Sequence, residues 1–144
     1  MFLWKPKNVP GLTVAAAAVF ALAACAPEDG IDYSDIERGK QLYADSCSIC
    51  HGENGSGAGA ASLGLGAPPP SLRILSRNAG GVFPRDYVLS TIDGLERHDN
   101  PTAAMPEFGT EDMGPLIMTE EDGLATPIPA DMLALANYLE SIQD

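Results

Sequence analysis

The run Cys47-Ser48-Ile49-Cys50-His51 constrains this chain more than any other feature. Positions i, i+3 and i+4 of a helical turn share one face, so two thiols and an imidazole would be presented together. Three chemistries use such a set. A thioredoxin-like redox pair expects its Cys-x-x-Cys in a βαβ setting, and no alternation of strand and helix patterns runs through this sequence. A zinc site needs four ligands; Cys47, Cys50, His51 and His98 would supply them, but without a second paired ligand motif. Covalent attachment of one haem c uses the whole motif. The two thiols add to the vinyl groups on one porphyrin edge, and the histidine faces the iron. The expected haem residues are therefore Cys47, Cys50 and His51.

The third cysteine has a different setting. Lys5 and Lys7 precede a short apolar run, Leu12 to Ala24, which has the basic and apolar regions of a secretory signal. The run falls short of the ~20 residues needed to span a bilayer. It ends Leu22-Ala23-Ala24-Cys25, which resembles the bacterial lipobox, and this implies cleavage before Cys25 and lipidation of that cysteine. Signal peptide 1–24, membrane-proximal linker 25–33 and folded domain 34–144 are the expected divisions. Two or more acyl chains on one cysteine give stable attachment, where one is marginal. The expected location is a bacterial membrane, with the domain in the periplasm.

The iron needs a further axial ligand, and Met105, Met113, Met118 and His98 are the candidates. Met105 is followed by Pro106, which removes an N–H and stiffens the loop. With this late Met-Pro and the early haem motif, the chain resembles a class I c-type cytochrome. The resemblance implies an all-α fold in which N- and C-terminal helices cross around a covalently bound haem, with Met105 as axial ligand. It also implies that Gly39 lets the first helix cross the last one closely, against an aromatic residue matched here by Tyr138. In Pro70-Ser71-Leu72 it implies a carbonyl at Pro70 that accepts a hydrogen bond from the haem histidine, and a pocket leucine at Leu72. Such a bond would orient the imidazole and raise its basicity.

The remaining sequence can be divided by its own signals. Ser34-Asp35-Ile36-Glu37 is a capping box and opens a helix over about 35–47, with Ile36, Gly39, Tyr43 and Cys47 at helical spacing. Pro84 and Gly94 bracket a second helix, with Tyr87, Val88 and Ile92 expected to face the haem side or the other helices. Pro129 starts the last helix, over about 130–142, with Met132, Leu135, Leu139 and Ile142 as its stripe and Tyr138 beside it. Gly52 to Ala67 reads as loop. Arg73, Arg77 and Arg85 are candidates to face haem propionates. Near 112–126, two apolar runs flank Glu120-Glu121-Asp122-Gly123, a pattern for a small β-hairpin.

Charge bounds the partners. The chain has 20 acidic against 8 basic residues and a formal charge of −12. Removing the signal takes away two lysines and leaves −14. Nucleic acid is excluded as a partner, because phosphate neutralisation needs the opposite excess. Redox proteins with basic docking surfaces suit it better. The expected role is a carrier of single electrons between membrane-associated respiratory or dehydrogenase partners, not an enzyme. The alternatives are a haem enzyme or gas- or peroxide-responsive protein with an open sixth position, and a fixed haem subunit of a larger oxidoreductase complex.

Overall fold

The computed structural model describes Met1 and residues 36–66, 68–95, 105–121 and 123–144. All but Met1 lie in the compact unit Ile31–Asp144. The expected signal segment, Cys25, the linker to residue 33, the capping Ser34 and the alternative ligand His98 lie outside the described residues.

Helix α1 (Ile36–Ser46) packs on helix α5 (Ala130–Ser141), the largest contact between elements. Gly39 is the reason they approach so closely. A Cβ at that position would stand 2.0 Å from the Ala134 carbonyl oxygen and 2.8 Å from the Tyr138 Cβ. The expected meeting of Gly39 with Tyr138 is therefore present. One turn on, the rings of Tyr43 and Tyr138 meet at a centroid distance of 5.3 Å and an angle of 50°, a tilted pairing that aromatic quadrupoles favour.

Helix α2 (Ser48–His51) follows α1 after a break at Cys47. The short helix α3 (Leu75–Asn78) comes next, and then α4 (Arg85–Asp93), which ends at Gly94 as its sequence signals indicate. Val88, Leu89 and Ile92 of α4 join Met132, Leu135 and Leu139 of α5 in one core with Phe83 and Tyr43. Burying such a side chain contributes ~1.5–3 kcal/mol. Met132 is thus a core residue, as expected. Two residues of these helical patterns are exposed. Ile36 is 46% exposed and Tyr87 57% exposed. Ile36 opens the first turn of α1, before the crossing at Gly39. On α4 the buried stripe runs through Val88, Leu89 and Ile92 and leaves Tyr87 outside it.

The fold is mostly helical but includes a two-stranded antiparallel sheet. Strands β1 (Leu116–Glu121) and β2 (Leu124–Pro129) pair from Leu116↔Pro129 to Glu121↔Leu124. The hairpin lies slightly later than expected and runs directly into α5. Its base is tied to that helix, where Ala130 N donates to the Pro115 carbonyl and Asp131 N to the Met113 carbonyl, both at 2.9 Å.

Candidate functional site

The motif sits at the junction of α1 and α2. The amides of Cys50 and His51 donate to the Cys47 carbonyl at 3.1 and 2.9 Å. This single turn is what brings Cys47, Cys50 and His51 together. Both thiols are unpaired and half-buried. Burial, reinforced by the neighbouring Cys50, pushes the Cys47 thiol up to about 11. A dithiol redox pair needs the opposite, a thiol whose pKa is lowered. Among the described residues no βαβ unit surrounds the motif, so the setting a thioredoxin-like pair expects is not found there. No three His, Cys, Asp or Glu side chains among the described residues are grouped to hold a metal ion, and His98 lies outside them.

The imidazole of His51 is partly withdrawn from solvent, and burial lowers its pKa. Its Nδ1 is buried and has no hydrogen-bond partner among the described residues. A buried ring nitrogen without a partner costs ~1–3 kcal/mol, a cost that packing alone does not explain. Two unpaired thiols and a neutral imidazole on one turn form the donor set for thioether attachment and iron ligation. The residues present fit a covalent haem.

A glycine-rich loop holds this turn in place. Gly57 N donates to the His51 carbonyl at 2.8 Å and Gly59 N to the Cys50 carbonyl at 2.9 Å. The Tyr43 hydroxyl donates to the Gly52 carbonyl at 2.7 Å, tying α1 to the loop. Gly57 has φ +89°, and a Cβ there would lie 2.6 Å from the Pro69 carbonyl oxygen. A side chain would force the loop away from both the motif and the proline run. Sequence reasoning missed Tyr43 as a support of the loop, reading it only as a helix-face residue. The spacing of Gly52, Gly55, Gly57 and Gly59 was the available signal.

The proline segment departs from expectation. Pro70 is exposed, and it is the Pro69 carbonyl that packs against Gly57. No hydrogen bond joins His51 to the Pro70 carbonyl in this structure. Leu72 is half-buried against the core, with its amide donating to the Gly55 carbonyl at 2.7 Å.

The candidate axial ligands separate by burial. Met105 and Met113 are half-buried and pack against the core, while Met118 is 63% exposed on β1. Met105 is therefore on the inside of the fold, with Met113 as its one rival among the described methionines outside α5. Of the three candidate propionate partners, Arg73 donates to Asp144, its Nε lying 3.1 Å from Oδ1. Arg85 reaches Asn137 at 2.7 Å and also Glu140. These two arginines are committed to acceptors on and after α5. Arg77 is exposed.

No described helix is long and apolar enough to cross a membrane. Residues 36–143 match the family model described as Cytochrome c. Over 38 residues the chain is 45% identical to a protein from Azospirillum brasilense described as "Cbb3-type cytochrome c oxidase subunit CcoP". That stretch is 26% of this chain and only 13% of the relative. No solved structure matches the chain.

Proposed function

The chain belongs to the cytochrome c family and holds haem c covalently, and from that premise we propose that it is a monohaem carrier of single electrons between membrane-associated respiratory or dehydrogenase partners. The observation that carries this is the single turn that sets two unpaired thiols beside the His51 imidazole. Bound haem c supplies reversible one-electron exchange at its iron. In this reading Cys47 and Cys50 would form the two thioethers and His51 would ligate the iron. Met105 would supply the second protein ligand, its soft thioether favouring the ferrous state and so a higher potential. Two side-chain ligands would leave no open position for a substrate, which favours a carrier over a haem enzyme. In the haem-loaded protein Pro70 would offer its carbonyl to the Nδ1–H, and Leu72 would wall the pocket beside it. Lipidated Cys25 holds the domain to the exported face of a bacterial membrane. The acidic surface suits partners with basic docking faces.

The test is the visible spectrum of the ferric protein, wild type beside Met105→Ala. Loss of the thioether-to-iron charge-transfer band in the variant is the expected result. A band that persists in Met105→Ala moves the ligand role to Met113, and its absence from wild type removes methionine ligation altogether.

A second reading has one observation in its favour. The 38-residue similarity to a protein described as an oxidase subunit supports a haem subunit fixed within a larger oxidoreductase complex. Purification from membranes solubilised in mild detergent separates the two. A carrier is recovered alone, and a subunit co-purifies with its complex at fixed stoichiometry.

A further inference from the structure

The β-hairpin between Met105 and α5 has two unlike faces. Ile117 and Ile128 are paired across the strands and half-buried, and Ile128 packs on the core. Side chains alternate along a strand, so Leu116 and Met118 share the opposite face. They are 64% and 63% exposed. Across from Met118 lies Pro127, also exposed. Large apolar side chains in adjacent exposed positions mark a contact surface more often than an accident of composition.

Charge decides what would cover this face. From residue 98 to residue 144 the sequence has ten acidic side chains and no lysine or arginine, while the chain as a whole has 20 and 8. Half the acids thus occupy the last third of the chain without a compensating base. Glu107, Glu111, Asp112 and Glu120, all exposed, lie on the hairpin or the segment leading into it. A second copy brought face to face would set these like charges against each other. An anionic bilayer surface would repel them too. A protein with an apolar centre and a rim of lysines or arginines fits, because rim charges steer encounter while the desolvated centre sets residence.

We propose that the outward face of the hairpin, centred on Leu116, Met118 and Pro127 with Glu120 at its edge, is the docking surface for a basic redox protein. This rests on the carrier reading and adds to it the place of contact.

The test is laser-flash electron transfer from the photoexcited zinc form of a basic mitochondrial cytochrome c, which loses one electron, to this protein's ferric haem, which gains it. The full-length holoprotein is compared with Leu116→Ser/Met118→Ser and with Glu120→Lys. At low salt both variants should lose at least threefold in rate and in calorimetric affinity. Reduction of the serine double variant by hexaammineruthenium(II), a small complex that needs no docking, should be unchanged. Equal rates and affinities for wild type and both variants overturn the proposal. So does a dimer that the serine variant dissolves at unchanged rate, which gives the face to a second copy. Weaker binding of that variant to zwitterionic vesicles, again at unchanged rate, gives it to lipid. A wild type that hexaammineruthenium(II) cannot reduce sinks the carrier reading instead.

Discussion

Gly39 and Ala134 leave no space between them: a Cβ on the glycine would stand 2.0 Å from the alanine carbonyl oxygen. The obstacle is helix backbone, which cannot turn aside as a side chain can, so α1 and α5 must separate to admit even a methyl group. Overpacking of this kind costs ~1–3 kcal/mol and sometimes more, against a gain of ~1 kcal/mol from replacing a helical glycine by alanine. Gly39→Ala should lose about 2 kcal/mol and lower the melting temperature by about 10 °C, and Gly39→Val should lose more. Thermal unfolding of the haem-loaded proteins decides it. An alanine variant as stable as wild type would mean that the crossing is looser than it stands here.

The same helix pair is joined electrostatically. Arg38 of α1 donates through Nε to Asp131 Oδ1 at 2.6 Å, and the Asp131 side chain is only 13% exposed, in the first turn of α5. Removing the arginine leaves a largely buried carboxylate with its partner gone, at a cost of ~1–3 kcal/mol. Arg38→Gln should be destabilising by that amount. The double variant with Asp131→Asn should recover part of the loss, with a coupling energy of about 1 kcal/mol. Urea unfolding of the four proteins gives the coupling directly, and strict additivity would show the pair to be idle.

The motif was legible because its chemistry is local: five residues on one turn carry it. Gly39 was legible because a glycine within a helix needs a packing reason, and Tyr138 supplied the partner. The hairpin was seen but placed too early. Strand β2 runs through Pro127 to Pro129, although proline is uncommon within paired strands. The exposure of Ile36 and Tyr87 was not legible, because helical period gives a face but not which residue at its margin is covered. The ties from Gly57 and Gly59 to the motif were hidden in backbone hydrogen bonds, which residue types do not encode. The proline register is a case of the same kind, since three consecutive prolines offer three carbonyls and only the folded loop selects Pro69 to face Gly57.

Residues after α5 clamp the segment that follows the prolines. Gln143 Nε2 donates to the Leu72 carbonyl at 2.7 Å, and Ser76 N donates to Gln143 Oε1 at 2.9 Å. Beside it, the hydrogen bond from Arg73 holds the Asp144 carboxyl below its ordinary value of 3.8. A carboxyl lowered in the folded state stabilises fully above its unfolded value, and that stabilisation fades as pH falls through the lower folded one. Asp144→Asn should therefore be less stable than wild type at pH 6, by a small margin because the pair is exposed. The difference should shrink once pH drops below about 3.8. Denaturation midpoints of both proteins across pH 2–6 provide the check, and a gap that widens toward acid would contradict the ion pair.

Haem removal should loosen the fold unevenly. The α1–α5 crossing is made by protein alone, through Gly39, Tyr43, Ala134 and Tyr138. The loop after His51 depends on hydrogen bonds to the motif turn, and apart from Ser62 its buried residues are glycines, which have no side chain to pack. Segments with few apolar contacts open first. In Cys47→Ala/Cys50→Ala, which cannot form thioethers, amide exchange should speed up most over 52–66 and around Met105. Residues 39–43 and 134–139 should keep the greatest protection. Hydrogen exchange followed by mass spectrometry, with the haem-loaded protein as reference, resolves these segments. Equal loss of protection in the helix pair would mean that the haem, and not the glycine crossing, holds α1 against α5.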